Sequence, residues 1–164
     1  ERVLEVVDTV RPELRRLTLE RHWLEDIMDG NTVTALFDAG RWDEALTRYP
    51  DLGESSGLGM IECPLAQIHV ARGDVASALD LQQRSQHLLD AAQPQFKAMY
   101  VEVQVPLLLL QGQPREAVDA AVAIAEELHD TDDEAWSGTL LLAGLEAAVA
   151  AGDDQTSSEE QTSE

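Results

Sequence analysis

Three short segments of this chain share one pattern, and that repetition is the strongest constraint on its fold. They are Gly40-Arg41-Trp42-Asp43-Glu44-Ala45-Leu46, Gly73-Asp74-Val75-Ala76-Ser77-Ala78-Leu79 and Gly112-Gln113-Pro114-Arg115-Glu116-Ala117-Val118. Each reads Gly, any residue, a mostly apolar residue, two of any kind, Ala, then Leu or Val. A fourth glycine, Gly152, closes the last apolar run, and the intervals between the four are 33, 39 and 40 residues. Self-similarity at this period indicates stacked helical hairpins. The glycine makes a tight left-handed turn without steric cost, and the alanine lets the second helix of a hairpin approach the first closely. A larger side chain at Ala45, Ala78 or Ala117 is expected to wedge its hairpin open.

Apolar residues elsewhere recur at helical spacing. Ala117, Ala121, Ile124 and Leu128 follow i, i+4, i+7 and i+11, and Val75, Ala78, Leu79 and Leu89 form a stripe diluted by Gln82 and Ser85. No Asn-Gly or Asp-Gly turn separates alternating apolar segments, so strands are not expected. The pattern predicts helices near 12–28, 31–39, 42–49, 58–72, 74–91, 94–111, 114–128 and 133–151, with a partial helix over 1–10. Asp74 is placed to cap an N-terminus, Pro94 and Pro114 fit first helical turns, and Glu116 sits near a positive dipole end. The expected fold is all-α, with antiparallel hairpins stacked as a superhelical solenoid over 1–152, the last hairpin incomplete. Residues 153–164, DDQTSSEEQTSE, contain five acids and no apolar side chain, and are expected to form a disordered acidic tail.

Gly40, Trp42, Ala45, Leu46 and Tyr49 resemble the turn and second helix of a tetratricopeptide repeat. In the later copies Val75 and Pro114 replace the usual aromatic, and His69 and Leu108 stand where a tyrosine is common. The likeness covers about residues 25–152. In its uneven spacing and its Ala/Leu/Asp/Glu/Arg-rich composition the chain is similar to the repeat region of large ATP-dependent LuxR-type, maltose-regulator-like transcription regulators. In that family an ATPase module precedes such repeats and a DNA-binding helix-turn-helix follows them. The resemblance implies a tetratricopeptide-like solenoid with an interaction or sensing role in bacterial signal transduction and transcription regulation.

Charge narrows the partners. Against 11 Lys and Arg stand 32 Asp and Glu, a formal net charge of −21. Such a surface repels phosphate backbones and anionic headgroups, which argues against direct nucleic-acid or membrane binding. Beyond Arg115 there is no Lys or Arg, against 14 acids. This reads as a solvated face with a solubilising tail, the sharper alternative being an acidic docking surface for a basic partner. The single Cys63 excludes an internal disulfide framework and a multi-cysteine zinc site. Beginning at Glu1 without a charged-then-apolar leader, the chain reads as a processed or excised product of a longer frame, and as cytoplasmic. The apolar run Ala135 to Ala151 carries Glu146 and falls short of the roughly 20 strongly apolar residues of a membrane span, so a buried soluble helix is expected there.

Candidate chemistry is sparse. His22, Glu25 and Asp26 share a predicted helix face at i, i+3 and i+4, yet nothing supplies an outer shell for a metal, and an exposed charged face is expected. Asp130, Asp132 and Glu134 begin like a calcium loop, but Ala135 stands where the sharp turn needs Gly and Leu141 where a bidentate carboxylate is needed. Those acids fit better as caps for a helix starting near Asp133. Cys63 and His69, six residues apart, are poorly placed as a thiolate pair. Gly53, Gly57 and Gly59 around Ser55 and Ser56 read as an inter-hairpin loop, and no Walker-type phosphate loop occurs. The chain is therefore read as non-catalytic, with no cofactor and no metal. Trp23, Trp42 and Trp136 are expected to anchor the core, and Met60 and Met99 to lie toward the inner groove.

A solenoid offers an extended concave surface from the first helix of each hairpin. The tetratricopeptide register implies Thr34, Phe37, Cys63, Gln67, Glu102, Leu109, Leu142 and Glu146 as groove-facing candidates. Gly40, Trp42, Ala45, Gly73, Ala78, Gly112 and Ala117 are the turn and packing positions. A groove with two glutamates and no basic clamp suits a segment carrying apolar and basic residues, or a small effector. The leading expectation is a helical-repeat interaction or effector-sensing module of a larger bacterial transcription regulator or signalling ATPase. The alternatives are a free-standing adaptor with no link to DNA and a small all-α enzyme.

Overall fold

Helical spacing dominates the chain, and helices are what it builds. The computed structural model describes residues 2–17, 23–49, 59–129, 131 and 134–161. Among the described residues there are eight α-helices and no strand: α1 (Arg2–Leu17), α2 (Trp23–Asp38), α3 (Trp42–Arg48), α4 (Glu62–Ala71), α5 (Val75–Arg84), α6 (Pro94–Leu110), α7 (Pro114–His129) and α8 (Glu134–Gln161). A short 3-10 helix, Gln86–Asp90, follows α5. None of these helices is long and apolar enough to cross a membrane.

The three sequence repeats are the same object at the level of atoms. Gly40, Gly73 and Gly112 adopt φ of 69°, 72° and 71°, the left-handed region. In each turn the glycine N–H donates to the carbonyl three residues back, and the next N–H donates to the carbonyl five back. The first set is Phe37, Val70 and Leu109, and the second is Leu36, His69 and Leu108, at 2.8–3.0 Å throughout. That double bond is the Schellman closure, which satisfies carbonyls a helix end would leave bare. Ala45, Ala78 and Ala117 then donate to Arg41, Asp74 and Gln113 as the next helix begins. All three alanines are completely buried. Val33, Ala66 and Val105, seven residues before each glycine, are buried as well. Each turn therefore joins two helices that pack on one another: α2 with α3, α4 with α5, and α6 with α7.

The chain divides into two compact units, Glu1–His87 and Leu88–Glu164. In the first, α4 is central and packs against α2, α3 and α5, while α1 lies on α2. Its core holds Val7, Val33, Leu36, Ile61, Leu65, Ala66 and Ile68. In the second, α6, α7 and α8 pack mutually around Val101, Val103, Val105, Leu107, Ala121, Ile124, Leu128, Leu140 and Ala147. Gly144 of α8 sits on Ala121 of α7, where an added Cβ would lie 3.1 Å from the alanine methyl. The arrangement of hairpins within each unit is what is observed of the expected solenoid.

Several local expectations change. Residues 23–38 form one helix where a break at 29–30 was expected. Gly30 continues α2, and its missing side chain is what admits Met60, whose carbonyl oxygen a Cβ would overlap. The first helix begins near the chain start and carries Pro12 within it. The helix expected over 74–91 ends at Arg84 and gives way to the 3-10 turn. Gly152, expected to close the last helix, lies inside α8, which runs from Glu134 to Gln161. A helix already nucleated needs little per residue to extend, and Gln and Glu are good helix formers. Residues 162–164 lie outside the described residues.

Candidate functional site

The first unit contains a cleft of about 490 Å³ between α3, α4 and α5. Leu46, Leu65, Ala76 and Leu81 supply its apolar surface, and Tyr49, His69, Ser77, Asp80 and Arg84 its polar one. The volume lies within the range of small-ligand sites, which combine an apolar lining with a few oriented polar groups.

Tyr49 and His69 are held from outside the cleft. Tyr49, just past the end of α3, donates its hydroxyl to Asp29 Oδ1 at 2.9 Å, and Arg11 Nη2 donates to the same two residues. Burial, with Asp29 alongside, raises the Tyr49 hydroxyl above the ordinary phenol range despite the opposing Arg11, so it stays protonated. On α4, His69 Nδ1 lies 3.0 Å from Asp74 Oδ2. Asp74 Oδ1 accepts from the Ser77 N–H at 3.2 Å, capping α5 as the sequence anticipated. The Ser77 hydrogen bonds, assisted by His69, hold the Asp74 carboxyl below the usual carboxylate range. Arg84 and Asp80 pair at 3.1 Å, one turn apart on α5. The cleft thus presents a fixed phenol, an imidazole and both signs of charge around an aliphatic floor.

Beside it lies an interior with unusual chemistry. The inward stripe of α2 is Glu25, Asp26, Asp29, Thr32, Val33 and Leu36, all buried. This corrects the exposed charged face expected of Glu25 and Asp26. The two acids occupy core positions of the helix, and Asp29, one turn on, meets Arg11 of α1. Glu62, in the first turn of α4, is 1% exposed, and its Oε2 receives no hydrogen bond among the described residues. Among those residues no group of three or more His, Cys, Asp or Glu is placed to hold a metal ion. His22, Asp130, Asp132, Asp133, Gly53, Ser55, Ser56 and Gly57 lie outside the described residues, as do the side chains of Trp23, Glu134, Ala135 and Trp136.

None of the eight groove candidates lines this cleft. Thr34 is exposed and donates back to the Gly30 carbonyl at 3.1 Å. Phe37 stacks on Trp42 with ring centroids 5.9 Å apart, and the Trp42 indole N–H donates to the Phe37 carbonyl at 3.0 Å. Arg72 covers the Trp42 ring at 5.8 Å and bonds Asp43 at 2.7 Å, which ties the end of α4 to α3. Cys63 is 2% exposed, so this candidate is a core residue and meets no solvent. Its first-turn position on α4 faces the neighbouring helices, since α4 is enclosed by three of them. Gln67, Glu102 and Leu109 are half-buried, and Glu146 and Leu142 are exposed on α8. Met60 and Met99 are half-buried. The cleft draws most of its lining from second helices and their ends, a surface the first-helix rule passes over. Tyr49 and the polar i, i+3, i+7 series of Ser77, Asp80 and Arg84 were its signal in the sequence.

No protein-family model, curated protein or solved structure matched the chain on comparison.

Proposed function

We propose that the chain is a non-catalytic helical-repeat module that binds a small effector, or a short segment bearing apolar and basic groups, in the α3–α4–α5 cleft. The cleft is the observation that carries this reading: it is ligand-sized, walled by helices of successive hairpins, and edged by polar groups that other side chains already orient. Ligand capture there would tie α3 of one hairpin to α5 of the next, the kind of coupling a sensor needs. The wider setting is a larger bacterial transcription regulator or signalling ATPase of the cytoplasm, supported by the repeat resemblance over residues 25–152. A tetratricopeptide-like superhelix is the arrangement this reading expects of the hairpins.

The test is a thermal-shift screen of small effectors and short basic peptides against wild type and Ala76→Trp. Ala76 is exposed at the cleft, so tryptophan there should fill the cleft while changing stability by no more than about 0.5 kcal/mol. A ligand that raises Tm of the wild type and leaves the variant unmoved supports the reading. Equal stabilisation of both proteins, or chemical turnover of a bound compound, counts against it. An endogenous product running well above 18.0 kDa would support the regulator setting.

A further inference from the structure

The sequence suggests that α8 is buried, and the structure buries only one side of it. Leu140, Gly144 and Ala147 face the second unit's core. On the other side Leu141 is 53% exposed, Leu142 59%, Leu145 64% and Val149 67%. At 100° per residue these four fall within an arc of about 100°, opposite the packed face, along roughly 12 Å of helix. Over this stretch every residue of α8 except Glu146 is apolar or glycine, more than a helix covered on one side alone requires. Gly138 lies on the same outer face, and among the described residues a Cβ added there would meet nothing within 4 Å.

Charge says what kind of surface covers it. Glu146 is exposed on the flank of the stripe. Glu116, Asp119 and Glu126 are exposed on α7, where Glu127 is already paired with Lys97 of α6 at 2.5 Å, and beyond Arg115 the chain has 14 acids and no Lys or Arg. A second copy would bring the same excess of negative charge against itself, and an anionic bilayer would repel it. A helix whose apolar stripe is bordered by Lys and Arg buries the leucines and meets the carboxylates at once. We propose that the outer face of α8 (Leu141, Leu142, Leu145 and Val149) docks a basic amphipathic helix of a partner protein. This surface belongs to the second unit, so a result against it leaves the cleft of the first unit untouched.

The probe is a fluorescent synthetic helix of about 18 residues made only of Leu and Lys at helical period, with a scrambled peptide of identical composition as control. Anisotropy titration against the full chain should show the periodic peptide binding about tenfold or more tighter than the scrambled one. Leu145→Glu should weaken the periodic peptide by about tenfold while leaving circular dichroism and Tm unchanged. The sign of that change is decisive, because the substitution adds negative charge. If charge alone held the peptide, the variant would bind it equally or more tightly, and the proposal would be overturned. Leu110→Glu, at an exposed leucine outside α8 (52%), should bind as wild type; an equal loss there would move the site off α8. A concentration-dependent dimer in sedimentation that Leu145→Glu dissolves would make a second copy the occupant and overturn the basic partner.

Discussion

In the first unit α2 turns Glu25, Asp26, Asp29 and Thr32 toward the interior, whereas in the second α8 turns Leu141, Leu142, Leu145 and Val149 toward solvent. Both helices keep the 3.6-residue period of a packed helix, and each puts the opposite polarity on one face from what that period suggests. The two departures differ in kind. The buried carboxylate of Asp29 is answered inside the same unit, by Arg11 and Tyr49. The exposed leucines are covered by nothing in theirs among the described residues. Burying an ion pair is a poor source of stability, since lost hydration offsets most of the attraction, but removing one partner leaves the other stranded. The first unit is thus brittle toward single polar changes, while the second tolerates polar changes on its outer face.

The largest effects should come from the hairpin packing that recurs inside each unit. Ala78→Trp places an indole where the native methyl is completely buried, and about 4 kcal/mol or more of stability should be lost in urea titration. Ala76→Trp, two residues away and exposed, is the internal control. Similar midpoints for the two would mean that Ala78 is not at a helix–helix contact, and the repeat would lose its structural meaning. The next largest effect separates the units directly. Asp29→Ala strands the Arg11 guanidinium, whose side chain is only 20% exposed, and should cost about 3 kcal/mol. Leu145→Glu, which adds a charge to an apolar face, should change stability by less than about 0.5 kcal/mol. A reversed order would erase the contrast between brittle interior and tolerant exterior.

What the sequence made legible was local. The αL glycines, the buried alanines, the Asp74 cap and the starts at Pro94 and Pro114 each need only a few neighbouring residues to specify them, and all are found. The misreadings concern partners distant in the chain. Gly30 followed by Asn31 looks like a helix break until Met60 arrives against it. Glu25 and Asp26 look solvated in sequence, yet the structure buries both, one turn from Asp29, on whose one oxygen Arg11, 18 residues earlier, and Tyr49, 20 residues later, converge. The cleft was missed for a related reason: Leu46, Leu65 and Leu81 come from three helices, and no periodicity within one helix reports the space between three.

The smallest effect tests whether equivalent turns in the two units differ by one titratable group. Asp74 in the first unit and Gln113 in the second both follow the turn glycine and precede a helix, α5 or α7. The hydrogen bonds from Ser77, with His69 beside them, lower the Asp74 pKa in the folded state. A depressed folded pKa means the native state binds the proton less readily than the unfolded chain. The stabilisation is therefore complete above the unfolded value and is lost as pH falls through the folded one, below about pH 4. Asp74→Asn keeps a good cap and removes the titration. Tm of the wild type minus Tm of the variant should be positive near neutrality and shrink toward zero in acid, as the Ser77 amide resonance titrates with it. The carboxylate is exposed, so salt should narrow the difference at neutral pH. Gln113→Asp should install the same acid sensitivity at the start of α7. A wild-type advantage that persisted unchanged below about pH 3 would assign it to cap geometry rather than charge, and the two turns would then be equivalent in chemistry as well as in backbone.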